Sequence, residues 1–238
     1  MKKMATKNSL LIDIRNLGKV YFRKNNSPTK ALDGVNLEVV AGEFLALVGR
    51  SGSGKTTLLN LIGALDRPTS GAVLFEGKSL GDFSNRDLVL LRREKIGFVF
   101  QSFNLLPSLT VFENVESPLI HSPMAKSEIT QKVAGLLESF DLINKSNAMP
   151  FDLSAGQQQK VAIARAIVNN PTVILADEPT GEMDPMAGEE IATKLVELNR
   201  RLKVTTIVAS HGTFFCNHAD RTIFLRDGRI VSQKEAGY

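Results

Sequence analysis

The sequence predicts an α/β fold built on a parallel sheet covered on both faces, and three observations predict it. Phe44-Leu45-Ala46-Leu47-Val48 is continuously apolar instead of alternating, as expected of a strand buried on both sides. Residues 96–100, 173–176 and 206–209 share that texture. Between the last two runs, residues 187–201 place Ile191, Leu195 and Leu198 at helical spacing, and strands alternating with helices imply a layered core.

The elements follow in order. Short strand-like runs at 10–15, 20–22 and 37–40, separated by turn residues, make the opening β-rich. After the buried run at 44–48 a glycine-rich stretch leads into a helical run at 57–65. From about residue 103 to 153 the texture turns helical and is broken by Pro107, Pro118, Pro123 and Pro150, which reads as an inserted helical subdomain. There Thr110 and Glu113 have the spacing of a capping box, and Ile129, Val133, Leu136, Leu137 and Phe140 mark one apolar face. Ser154 then precedes a run through Val161, Ala164, Arg165 and Val168 at helical spacing. The chain closes on a hairpin, with 223–225 and 229–231 joined through Asp227-Gly228.

Composition narrows the function classes. With 238 residues, 43% hydrophobic and 23% charged, the chain supports one sizeable core and is neither disordered nor fibrous. No apolar run approaches the roughly 20 residues that cross a bilayer. Lys2 and Lys3 imitate the start of a signal peptide, but no apolar core follows them, so the expected location is the cytoplasmic side. Cys216 is the single cysteine and reads as a buried small hydrophobe. The net charge of +4, with short clusters at Lys2/Lys3/Lys7 and Arg92/Arg93/Lys95, is too weak to indicate nucleic acid.

Chemistry concentrates in three motifs. Gly49-Arg50-Ser51-Gly52-Ser53-Gly54-Lys55-Thr56 is a complete G-x4-G-K-[ST] loop between a buried strand and a helix. Glycines let consecutive N–H groups converge on phosphate oxygens, Lys55 adds a point charge, and the Thr56 hydroxyl is a candidate Mg²⁺ ligand. The strand at 173–176 runs into Asp177-Glu178, where a carboxylate pair could hold Mg²⁺ and polarise a water, although an acidic strand end can also be a plain solvated turn. Leu153-Ser154-Ala155-Gly156-Gln157 offers a second anion site at a helix start, with ordinary N-capping by Ser154 as the alternative.

In order along the chain, the phosphate loop, Gln101 after a strand, residues 153–157, residues 173–178, Asp184 and His211 resemble the ATP-binding cassette (ABC) ATPases. Residues 65–71, 96–107 and 175–181 are similar to the lipoprotein-releasing and macrolide-export branch. The resemblance implies an α/β P-loop NTPase core of ABC type, with an N-terminal antiparallel β subdomain and an inserted helical subdomain. It places the core at 1–101 and 154–238, the helical part at about 102–153, and all of 1–238 in a single ATPase domain.

The resemblance also assigns roles. Tyr21 matches the aromatic that stacks on adenine. Residues Gly49 to Thr56, with Thr57, match the phosphate site, and Thr56, Gln101 and Asp177 the Mg²⁺ site. Glu178, His211 and Gln101 match catalytic positions. Ser154, Ala155, Gly156 and Gln157 match the signature that completes the nucleotide site of a second subunit, and Asp184 the loop crossing that interface. It implies ATP and Mg²⁺ as cofactors, a homodimer of nucleotide-binding subunits, a separate integral membrane permease, no nucleic acid, and peripheral attachment to the cytoplasmic face of the inner membrane.

Several positions depart from the family pattern: Ala155 for glycine, Glu182, Met183 and Pro185 for Asn, Leu and Ser around Asp184, and Gly212 where aspartate is common. An apolar set comprising Phe103, Leu105, Leu106, Leu109, Val111, Phe112, Leu119 and Ile120 is divided between subdomain packing and permease docking. The rival reading is a soluble cassette acting as an ATP-gated clamp on nucleic acid or ribosomes, but such proteins usually carry a long coiled-coil insertion or two cassettes. A P-loop kinase leaves residues 153–157 unexplained.

Overall fold

The computed structural model describes residues 9–22 and 28–237. The basic cluster read at Lys2, Lys3 and Lys7 lies outside them. Two sheets form the frame. The first is antiparallel, in the order β2-β1-β4-β5, from β1 (Leu10–Phe22), β2 (Pro28–Val40), β4 (Ser70–Phe75) and β5 (Lys78–Ser79). The second is six-stranded in the order β10-β9-β3-β8-β7-β6, from β3 (Phe44–Val48), β6 (Ile96–Val99), β7 (Val173–Asp177), β8 (Thr205–Ser210), β9 (Arg221–Arg226) and β10 (Arg229–Val231). All its pairings are parallel except the terminal hairpin of β9 with β10.

The helices are α1 (Lys55–Ile62), α2 (Asn85–Lys95), α3 (Val111–Glu116), α4 (Lys126–Ser139), α5 (Ala155–Ile167), α6 (Pro185–Leu202) and α7 (Gln233–Ala236). Every residue of β3 is buried, and its side chains serve two apolar layers. Phe44, Ala46 and Val48 face the layer shared with α3, α4, α5 and α6, while Leu45 and Leu47 face the one shared with α1, α2 and the antiparallel sheet. That double burial is why the run could not alternate.

The structure revises the sequence reading in places. The runs at 10–15 and 20–22 are one strand, β1, carried past a register shift where Asn16 has φ +46°. The helix expected at 57–65 begins at Lys55 and ends at Ile62. Elements β4 and α2 were not anticipated. The cluster Arg92/Arg93/Lys95 ends α2, where positive charge suits the helix dipole, and Arg92 donates to the Ala64 carbonyl. Cys216, expected to be buried, is half-buried against the core.

Thr110 caps α3 in the expected box with Glu113. One turn on, buried Asn114 pins the preceding loop: its Oδ1 accepts from Leu106 N–H at 2.8 Å, and its Nδ2 donates to the carbonyls of Leu106, Leu109 and Thr110 at 3.0–3.1 Å. Leucine in its place strands those backbone groups, so Asn114→Leu is expected to cost about 2–3 kcal/mol, read from chemical denaturation curves.

Candidate functional site

The phosphate loop leaves β3 and turns into α1 through backbone that only glycine takes easily. Gly54 has φ +107°, and a Cβ there would lie 2.5 Å from the Ala31 carbonyl. α1 starts without a side-chain cap, so its first-turn N–H groups are left for an anion. Lys55 is buried within the curl. Its ammonium donates to the carbonyls of Gly49 at 2.7 Å and Arg50 at 3.3 Å, and pairs with Glu178 Oε1 at 3.2 Å.

Glu178 stands one residue beyond β7 in a left-handed conformation, φ +46°, which is costly for a side chain with a Cβ and is held by the surrounding bonds. Its N–H donates to the Ala209 carbonyl at 2.9 Å. Its second oxygen, Oε2, accepts from the His211 backbone N–H at 3.1 Å and faces His211 Nδ1 at 2.8 Å. A carboxylate there places the proton on Nδ1. Lys55, Glu178 and His211 therefore form one chain of contacts linking the ends of β3, β7 and β8.

Asp177, next to Glu178, accepts a hydrogen bond from the Thr56 hydroxyl. Its Oδ1 is buried without a partner among the described residues. Burial pushes its pKa up; the Thr56 bond and Lys55 act against that rise, and the charge of Glu178 adds to it. No group of three or more His, Cys, Asp or Glu side chains among the described residues could hold a metal alone. The residues do fit Mg²⁺, which typically takes one or two protein oxygens and completes its shell with phosphate and water.

Lys55, Thr56, Glu178 and His211 border a cleft of about 380 Å³, lined also by Thr29, Lys30 and Ala31 of β2, Ser51, Gly52, Gly54 and Thr57 of the loop and α1, and Gln101 and Gly181; Asp177, bonded to Thr56, is not in the lining itself. Ser154 to Gln157 and Asp184 lie outside this lining. Ser154 caps α5, accepting from Gln157 N–H at 3.4 Å while Gln157 Oε1 accepts from Ser154 N–H at 3.1 Å. Asp184 caps α6 through bonds from Met186 and Ala187 N–H. The two helix starts adjoin: a Cβ on Gly156 would sit 3.6 Å from the Ala187 Cβ.

A family model described as ABC transporter matches residues 32–181. Over 93% of its length the chain is 45% identical to the ABC transporter ATP-binding protein YvrO of Bacillus subtilis, covering 96% of that protein. It is 44% identical to the macrolide export ATP-binding/permease protein MacB of Hyphomonas neptunium, over 93% of this chain and 34% of that one. A solved dimeric structure of the ABC transporter cassette MJ0796, from Methanocaldococcus jannaschii, matches with a TM-score of 0.86 at 42% identity, over 93% of this chain and 97% of that one. A second dimeric structure of MJ0796, in a post-hydrolysis state bound to ADP and Pi, gives the same score.

The chain belongs to the ABC transporter family. It is an ATP-binding cassette of the ATPase type, with the α/β core and antiparallel β sheet that the sequence predicts. It spans about a third of the length of the curated export ATP-binding/permease relatives it matches. No helix among the described residues is long and apolar enough to cross a membrane.

Within this cassette Tyr21 is not itself in the cleft lining but adjoins it, pairing across β1 and β2 with Thr29 and sharing a side-chain hydrogen bond with Thr57, both of which line the cleft. Its hydroxyl donates to Asp66 at 2.8 Å, and Lys19 Nζ stands 4.8 Å over its ring. Partial burial, then the bond to Asp66, raises its pKa. Of the divided apolar set, Val111 and Leu119 are buried, Leu105 and Phe112 pack on the core, and Leu106 and Ile120 are exposed.

Sequence reasoning missed the β2 wall of the cleft, where Lys30 pairs with Asp33 at 2.5 Å and, together with Arg229, holds that carboxyl below its usual range. It missed Gln159, buried on α5 and donating to the Pro179 carbonyl at 2.7 Å. It also missed Arg165 as an anchor, donating to the carbonyls of Phe103 and Asn104 at 2.9 and 2.6 Å. A polar residue at an inward helical position was the available signal for Gln159; β2 gave none.

Proposed function

We propose that this cassette binds ATP with Mg²⁺ between two copies of itself and hydrolyses it to drive export or membrane extraction of a lipoprotein, lipid, peptide or drug through a separate permease. The observation that carries this reading is the division of the site: the cleft gathers Lys55, Glu178 and His211, while the capped helix start at Ser154 lies outside it. A second copy facing head to tail would bring its Ser154 to the γ-phosphate and its Asp184 to the interface.

The chemistry follows from the contacts. A γ-phosphate competes with Glu178 for the Lys55 ammonium and frees Oε1 to accept a proton. A water oxygen then bonds to the γ-phosphorus as the bond to the bridging oxygen breaks; its proton goes to Glu178, and ADP and phosphate leave. His211, whose Nδ1 is held by Glu178, would contact the γ-phosphate. Thr56, Asp177 and Gln101 would hold Mg²⁺, which neutralises phosphate charge when bound. Tyr21 would stack on adenine. The helical segment at about 102–153 would serve as the subdomain that receives the permease, with exposed Leu106 and Ile120 in its contact, and the cassette would sit at the cytoplasmic face of the membrane. Relatives named as export ATP-binding/permease proteins support this partner.

The test is light scattering with Mg²⁺ and ATP under blocked hydrolysis. A dimer is expected, and Ser154→Ala should weaken it about tenfold through loss of one anion contact, with nucleotide binding to the monomer little changed. A chain that stays monomeric, or equal losses in both measurements, would overturn the shared site.

A further inference from the structure

Glu182 stands where the family resemblance has asparagine, and it touches a residue of the site. Its Oε1 accepts a hydrogen bond from Gln101 Nε2 at 3.0 Å. Gly181 allows the approach: a Cβ there would lie 3.2 Å from Gln101 Nε2 and 3.4 Å from the Glu178 carbonyl.

A glutamine amide has two nearly isosteric ends, one a donor and one an acceptor, and Mg²⁺ takes only the oxygen. An asparagine at 182 could pair with either end of Gln101 by turning its own amide. A carboxylate only accepts, so it bonds Nε2 and repels Oε1. We propose that Glu182 is a positioning residue that fixes the amide of Gln101, committing Nε2 to itself and leaving Oε1 to face the cation and the attacking water. Flipping the amide would break a charge-assisted bond and set two acceptors face to face. This deepens the proposed nucleotide site and rests on the reading that Gln101 reaches Mg²⁺. It also accounts for one departure from the family pattern: Glu182 ties the loop after β7 to Gln101, two residues beyond β6, within a single copy.

Both side chains are exposed, so substitutions here should leave the melting temperature unchanged. The test is the Mg²⁺ concentration needed for half-maximal tight binding of the non-hydrolysable analogue AMP-PNP, measured by calorimetry on the full chain. Glu182→Ala should raise it about fivefold, the usual weight of one such hydrogen bond, with Mg²⁺-free binding unchanged. Glu182→Gln, able to pair with either amide end, should fall between. In a Gln101→Ala background, which itself raises the requirement, Glu182→Ala should add less than about a twofold change, since the amide it orients is gone. An unchanged Mg²⁺ requirement in Glu182→Ala, or an equal shift with and without the Gln101 amide, would overturn the proposal. So would a gain in nucleotide affinity in both position-182 variants, which would mark the carboxylate as a repulsive neighbour of the triphosphate. If Gln101→Ala leaves the requirement unchanged, or the parent chain shows no Mg²⁺ dependence, the reading of the cation site fails first.

Discussion

Replacing Glu178 with glutamine should lower ATP turnover by about 10³-fold, while nucleotide stays bound and the two copies stay joined. The substitution keeps the shape of the side chain and one acceptor oxygen while removing its charge and its proton-accepting capacity. A glutamine oxygen can still accept from the His211 N–H, which bonds Oε2 at 3.1 Å, and the left-handed backbone at 178 costs glutamine about what it costs glutamate. What is lost is the negative charge opposite Lys55 and the only carboxylate touching both Lys55 and His211 among the described residues. With no group to take the proton of the attacking water, the γ-phosphate remains and continues to hold Lys55. The ATP-bound dimer should therefore persist in size-exclusion chromatography while phosphate release nearly stops. Turnover within twofold of the parent chain would remove Glu178 from the assigned role.

The residues that matter for that experiment were legible because each sits in a contiguous motif at a strand end. The five apolar residues of β3 announce the phosphate loop, and residues 173–176 announce Asp177 and Glu178; in both cases burial on two faces leaves no polar residue to blur the pattern. The missed elements lack such contrast. In α2, Leu88-Val89-Leu90-Leu91 is an unbroken apolar run, yet only Leu88 and Leu91 are buried, so the helical period is hidden. β4 is short and opens on Ser70-Gly71, and it is a strand because β1 lies beside it. The break read after residue 15 is a bulge that pairing with β2 carries the strand across. The same reason hides part of the site. Thr29, Lys30 and Ala31 reach the cleft only through the tertiary position of β2, and Glu182 meets Gln101 across 81 positions of sequence. The apolar set at 103–120 could not be sorted residue by residue from sequence, because its side chains differ only in tertiary exposure: Val111 and Leu119 fill the core while Leu106 and Ile120 face outward.

Asp177→Asn should move stability and activity in opposite directions. Burial raises the Asp177 pKa above its ordinary 3.8, so in the folded chain the charged form is disfavoured. The sign follows from linkage. Below the ordinary value the carboxyl is neutral folded or unfolded, and nothing is lost. As pH rises from there towards the folded value, the unfolded chain ionises first and the folded state is progressively disfavoured; above the folded value the cost is constant. Asparagine is spared this cost and its carbonyl can still accept from Thr56, so at neutral pH the variant should melt higher than the parent without nucleotide, with the difference closing as pH falls towards 3.8. Hydrolysis should fall about 10²-fold, the scale seen when a group that holds or orients a catalytic metal is neutralised. With Mg²⁺ and AMP-PNP the order of melting temperatures should reverse, because a cation beside the unpartnered Oδ1 turns the buried charge into a binding contribution. A variant that melts no higher than the parent at neutral pH, or that gains as much from Mg²⁺ as the parent does, would mean that the carboxylate is not held in wait for a cation. If Asp177 holds Mg²⁺ as proposed, the cost of burying that charge in the ligand-free chain would be offset only when the metal arrives with the nucleotide, and tight closure of the site would be conditional on both.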